Sequence, residues 1–138
     1  LKPMIDREFP TLPDREHTYI GGSSMGGLMA IYATVMYNDI FSRAAGLSPS
    51  ISVGHAGLLA DVKACGEFLP NTRIYMDLGS EEMGSRRNQA MALMGRLNQE
   101  LIVRGADTCM RIVSGGHHCE ASWEKQIPIF MRALRIQE

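Results

Sequence analysis

Short runs of β-branched, aromatic or small apolar residues alternate along the chain with longer stretches of helical periodicity, and glycine closes several of the short runs. That alternation is the pattern of a layered α/β sheet. Thr18-Tyr19-Ile20-Gly21-Gly22 reads as a buried strand, followed after a tight turn by a helix from Met25 to Tyr37 that Asn38-Asp39 closes. Ala44-Ala45-Gly46-Leu47 reads as a second strand, leading through Ser48-Pro49-Ser50 to a helix around Leu58 to Phe68. Beyond the turn signal Pro70-Asn71, Arg73 to Leu78 forms a third strand stopped by Gly79. Met91, Met94, Leu97, Leu101 and Ile102 then recur at helical spacing until Gly105 ends the helix. Thr108 to Val113 is the fourth strand. Trp123, Ile127, Phe130 and Leu134 make the apolar stripe of a last helix that starts near Glu120, with Pro128 in it or beside it.

Strand and helix thus alternate four times, with crossover lengths suited to a parallel sheet. Four strands make a small sheet. Leu1 to Glu16, with its three prolines, cannot supply two or three more.

Gly22-Ser23-Ser24-Met25-Gly26-Gly27 falls between the first strand and its helix, the context that a G-x-S-x-G nucleophile elbow requires. A serine in a sharp, strained strand-to-helix turn brings the residues two before and two after it close together, so glycines at both places let the strand run into the helix. Ser24 would then stand above the sheet, with the Met25 amide at the helix start placed to donate to a developing oxyanion. A glycine- and serine-rich turn without chemistry is the bland alternative. A serine hydroxyl is a weak nucleophile at neutral pH, so the motif calls for a carboxylate and a histidine later in the chain, in that order.

Both are present. Gly115-Gly116-His117 follows the fourth strand on the loop before the last helix, and His117, directly after the glycine pair, is the expected base. His118 is the rival, expected to face solvent or pack locally, because adjacent imidazoles do not both point back at one serine. His17 and His55 read as ordinary polar residues. The acid is expected from Asp77-Leu78-Gly79-Ser80-Glu81-Glu82. Asp77 lies inside the strand, where a carboxylate needs a buried partner, whereas Glu81 and Glu82 lie in the loop; Glu82 is preferred, with Glu81 second. A metal reading of His117-His118-Cys119-Glu120 is disfavoured by its spacing, and the ten methionines suit helix-face packing.

Composition narrows the partners. The chain has 138 residues, 45% hydrophobic and 21% charged, which suits one domain. With 14 basic and 15 acidic residues the net charge is −1, so no basic footprint points to nucleic acid or an anionic membrane, and a small molecule is the expected partner. No apolar run approaches the roughly 20 residues of a membrane span, and the first residues lack a signal peptide's layout. Three cysteines without a C-x-x-C pair argue against a disulfide framework and for a reducing, cytoplasmic setting.

These motifs together resemble the putative-esterase (esterase D-like) family of α/β-hydrolases, which includes feruloyl esterases, S-formylglutathione hydrolases and enterochelin esterases. The carriers are Gly22-Ser23-Ser24-Met25-Gly26-Gly27, Phe41-Ser42, Leu47-Ser48-Pro49-Ser50, Gly79-Ser80-Glu81-Glu82, and Gly115-Gly116-His117 with Trp123 beyond. The resemblance implies a three-layer α/β-hydrolase sandwich with a parallel sheet, and residues 1–138 as the C-terminal part of a single domain. It implies Ser24 as nucleophile, Glu82 as acid in place of the commoner aspartate, and His117 as base. Family members carry an N-terminal half with the early strands and a second oxyanion donor, and none of it is visible here. The chain is therefore expected to be a C-terminal fragment or to complete its sheet edge with another copy.

The expected function is a serine carboxylic-ester hydrolase that works through an acyl-enzyme and needs no cofactor or metal. An acyltransferase with the same triad and a non-catalytic binding protein that kept the elbow are the alternatives.

Overall fold

The computed structural model describes residues 1–136, and its centre is a parallel sheet in the order β1-β2-β3-β4: Tyr19–Ser23, Arg43–Leu47, Arg73–Gly79 and Asp107–Val113. Each strand lies beside the next in sequence because a helix carries the chain back between them. The connecting helices are α2 (Met25–Met36), α3 (His55–Ala64) and α4 (Arg87–Val103); a short α1 (Lys2–Glu8) precedes the sheet, and α5 (Glu120–Glu124) and α6 (Ile127–Ala133) follow it.

Side chains alternate across a strand, and the two faces of this sheet collect different partners. Ala44, Ile74, Met76 and Leu78 point into one core, where Leu28, Ile31 and Val35 of α2, Leu58 and Val62 of α3, and Met94, Leu97 and Leu101 of α4 cover them. The odd positions Ala45, Leu47 and Tyr75 point the other way, onto Trp123, Phe130 and Leu134 of the C-terminal segment. β3 is buried on both faces, which explains its almost unbroken apolar run. β4 and β1 form the sheet's two margins and are more exposed.

The sequence expectations hold for all four strands and for the helices that follow β1 and β3, with boundaries displaced by a residue or two. Three details differ. The helix after β2 starts earlier, at His55, and ends at Ala64; Phe68 lies beyond it, buried, with its N–H donating to Arg104 O. The single C-terminal helix is two, broken at Lys125 and Gln126. Pro128 stands in the first turn of α6, where its missing N–H had no intrahelical acceptor to lose. Ile127, assigned to the apolar stripe, is 47% exposed and lines an open groove together with Trp123, Phe130 and Leu134. The opening segment forms α1 and is anchored through Arg15, whose guanidinium donates to Asn38 O, Pro70 O and Thr72 Oγ1 at the foot of the sheet.

Candidate active site

The C-terminal ends of β1, β2 and β3 are level, with Ser23 beside Leu47 and Leu47 beside Asp77, so the loops that leave them converge. Ser24 is the first residue past β1. It has φ 55° and ψ −120°, a left-handed conformation that a side-chain-bearing residue rarely adopts. The strain is held by three backbone hydrogen bonds: Ser24 N–H to Leu47 O at 2.9 Å, and Leu28 N–H and Ser50 N–H to Ser24 O at 3.1 and 3.0 Å.

The two glycines that flank Ser24 are not equivalent. A Cβ on Gly22 would lie 2.6 Å from the backbone carbon of Gly26, so the strand can turn into α2 only without one. A Cβ on Gly26 would meet nothing within 4 Å. The contact is made by Gly26 backbone against the place of the missing Gly22 side chain, which departs from the symmetric requirement expected of the motif.

Ser24 Oγ lies 2.9 Å from Nε2 of His118, and Nδ1 of the same ring lies 2.7 Å from Oε2 of Glu82. A carboxylate only accepts, so the ring carries its hydrogen on Nδ1 and offers Nε2 to the serine hydroxyl. Glu82 is thus the carboxylate at the histidine, as preferred over Glu81, which instead accepts a hydrogen bond from the Ser80 hydroxyl. The Glu82 side chain is almost wholly buried, while that of His118 is 42% exposed.

The imidazole in this chain of hydrogen bonds is His118 and not His117. The glycine pair explains the displacement by one residue. Gly115 adopts φ 69°, and Gly116 is drawn against the end of β3: a Cβ on Gly79 would sit 2.3 Å from Gly116 O, which also accepts the Glu81 N–H. His117 follows this contact directly, with its N–H held by Ser122 Oγ at 3.0 Å; it is exposed, and its ring makes no hydrogen bond among the described residues. One residue later the chain turns towards Glu82. Nothing local in the sequence reports a contact between Gly79 and Gly116, which are far apart along it.

Two further residues, Ser48 and Trp123, hold Glu82, a part that the sequence reading did not give them. Ser48, at φ 41°, is buried beneath the site. Trp123 Nε1–H donates to Ser48 Oγ at 3.0 Å, which leaves the serine hydrogen to donate to Glu82 Oε1 at 2.5 Å. Gly79 N–H donates to the same oxygen at 2.8 Å. The Trp123 ring also meets the His118 ring edge to face at 5.0 Å, so one tryptophan braces both the histidine and the support of the acid. The signal available in sequence was the hydroxyl-proline-hydroxyl run after β2, which reads there as a connecting loop and as one carrier of the family resemblance.

Below this layer Asp77 is buried, as a strand-interior carboxylate should be only with partners. It accepts Ser48 N–H at 3.0 Å and the Tyr75 hydroxyl at 2.8 Å. Burial, above all, raises its carboxyl above the ordinary range, against the two hydrogen bonds that favour the charged form. Burial and then the Asp77 charge raise the Tyr75 phenol too, so it stays a donor. Met25 is the first residue of α2, and its N–H has no partner among the described residues. His17 pairs with Asp14, and His55 Nε2 meets Leu93 O, so both are ordinary polar contacts. Among the described residues no group of three or more His, Cys, Asp or Glu could hold a metal ion, and no helix is long and apolar enough to cross a membrane.

A family described as Putative esterase matches residues 1–134. Among solved structures the chain superposes on a ferulic acid esterase with TM-score 0.72 at 18% identity, covering 97% of this chain and 56% of that one. It superposes on an S-formylglutathione hydrolase from Staphylococcus aureus with TM-score 0.68 at 19% identity, covering 96% and 56%. An enterobactin esterase from Shigella flexneri gives TM-score 0.68 at 26% identity, covering 96% and 34%. The chain therefore spans about half, or less, of the length of these neighbours. No curated protein matches it at a significant level.

Proposed function

Because the chain belongs to the putative esterase family, we propose that it hydrolyses carboxylic esters through an acyl-enzyme on Ser24, with His118 as the base and Glu82 as the carboxylate that orients it. The observation that carries this reading is the continuous chain from Ser24 Oγ through both nitrogens of His118 to Glu82, at 2.9 and 2.7 Å. In the first step the Ser24 oxygen attacks the ester carbonyl as its proton passes to Nε2 of His118. Glu82, held by Ser48 and Gly79, fixes the ring's tautomer and balances the imidazolium that forms. The carbonyl oxygen gains charge as it becomes tetrahedral, and the unpartnered Met25 N–H at the start of α2 is the donor proposed for it. His118 then returns the proton to the leaving alcohol. A water molecule, deprotonated by the same nitrogen, releases the acid and regenerates Ser24.

No step calls for a metal or an organic cofactor. The partner is a small-molecule ester, in keeping with a net charge of −1, which gives no excess of basic residues for a polyanion.

A nitrophenyl ester tests the reading. The expected result is a burst of nitrophenol stoichiometric with the chain, an acyl adduct on the peptide that contains Ser24 after acid quench, and loss of both in Ser24→Ala. Nitrophenol release that Ser24→Ala leaves intact would refute it.

A further inference from the structure

A cleft of about 240 Å³ adjoins the hydrogen-bonded chain. The β2–α3 loop with Ser50 and Ser52 lines one part of it, Met83 and Arg86 of the β3–α4 connection another, and His118 belongs to its wall. It reaches the nucleophile through Ser50, whose hydroxyl lies 3.2 Å from Ser24 Oγ.

The two charged side chains in this cleft, Glu82 and Arg86, are not paired with each other among the described residues. Its carboxylate, Glu82, is occupied on both oxygens: Oε1 accepts from Ser48 and Gly79, and Oε2 meets His118. Its guanidinium, Arg86, is exposed and makes no side-chain hydrogen bond or ion pair among the described residues. Arg86 also immediately precedes α4, a helix of 17 residues with no acidic side chain in its first turn, so the positive end of that helix adds to the arginine and no carboxylate of that turn offsets it. By contrast, the neighbouring Arg87 is engaged with Ser80 O. A cation without a partner among the described residues, hydroxyls as supplementary donors, and walls that include Ser50 and His118, both in contact with Ser24 Oγ, together suit an oxyanion.

We propose that this cleft selects esters that carry a carboxylate or a comparable oxyanion on the part of the molecule that enters it, with Arg86 as the specificity-determining residue. The inference rests on the reading of Ser24 as an ester-hydrolysing nucleophile, and its test separates the two.

Two pairs of esters place the charge on either side of the scissile bond: 4-nitrophenyl hemisuccinate against 4-nitrophenyl pentanoate, and 4-acetoxybenzoate against 4-methylphenyl acetate. The whole chain is expected to favour the anionic member of at least one pair. In Arg86→Gln that pair's anionic-to-neutral ratio of kcat/KM should fall about fivefold, the size of one partly exposed ion pair, and through KM more than kcat. The same preference should weaken as salt is raised. Succinate and 4-hydroxybenzoate supply a readout that needs no turnover: one of them should shift the Arg86 Nε–H resonance, and its uncharged counterpart, succinamide or 4-hydroxybenzamide, should not. Ester turnover with ratios that Arg86→Gln leaves unchanged in both pairs overturns the anion subsite and leaves the hydrolase reading standing. If neither member of either pair is hydrolysed, the hydrolase reading falls and the two acids decide the subsite, with a shift upholding it and no shift overturning it.

Discussion

His117 and His118 differ by one position in sequence and by their whole environment in the fold. His118 bridges Ser24 and Glu82, while the His117 ring makes no hydrogen bond among the described residues. His118→Ala is therefore expected to lower nitrophenyl ester turnover by at least about a thousandfold, and His117→Ala by less than about fivefold, in steady-state assays. Ser48 offers a finer test. Its φ of 41° suits glycine, so Ser48→Gly relieves backbone strain while deleting the donor to Glu82. That variant should keep its unfolding midpoint and lose about tenfold in kcat with KM little changed, as expected for one hydrogen bond to a charged group. Equal kcat would leave Ser48 a packing residue only. Asp77 adds a pH dependence. Its native carboxyl is raised by burial, so the folded state holds the proton more tightly than the unfolded chain does. Stability from this group is fully present below the ordinary aspartate pKa of 3.8 and is lost as pH rises through that value towards the raised native one. Urea unfolding between about pH 3 and about pH 7 should show the wild type losing ground to Asp77→Asn as pH rises across that window. The places of Ser24 and Glu82 in this hydrogen-bonded chain were legible in the sequence because strand-to-helix and strand-end glycines mark them. The choice of histidine was not, because it depends on how closely Gly79 and Gly116 approach.

The elbow is a device of the strand-helix unit, and its energetics are tested at that scale. Gly22→Ala would drive a Cβ into Gly26 backbone and should lower the thermal midpoint sharply or prevent folding. Gly26→Ala has open space and lies in the first turn of α2, where exchanging glycine for alanine should gain about 0.5 kcal/mol or a little more. Scanning calorimetry of the two variants distinguishes this asymmetry from an equal need for both glycines. The elements themselves were readable where burial is two-sided: β3 shows as an apolar run, and α4 as a repeat of Met94, Leu97 and Leu101. Reading failed where periodicity is weak. α3 buries only Leu58 and Val62, too few to fix its ends, and the break between α5 and α6 leaves the apolar spacing intact across it. A proline at the second position of a helix is compatible with a new helix as well as with a kink, and only the fold chooses.

The whole molecule presents an asymmetric sheet. Among the described residues β1 has β2 on one side and no strand on the other, and along it runs an apolar groove of about 500 Å³ lined in part by Trp123, Phe130 and Leu134. An unpaired strand beside an apolar groove is a template for association. Sedimentation velocity should show the chain associating as its concentration rises, with Ile20→Lys on that margin reducing the effect. The same margin carries Ser24 at its end, so the proposed nucleophile stands at the border of the described sheet.

The most direct test of an activated Ser24 is the intact mass of the chain after exposure to a fluorophosphonate, followed by peptide mapping of any adduct. One adduct on Ser24 is expected, absent in Ser24→Ala, strongly slowed in His118→Ala and scarcely changed in His117→Ala. An unmodified folded chain, or an adduct that forms on Ser24 as fast in His118→Ala as in the wild type, would contradict the account.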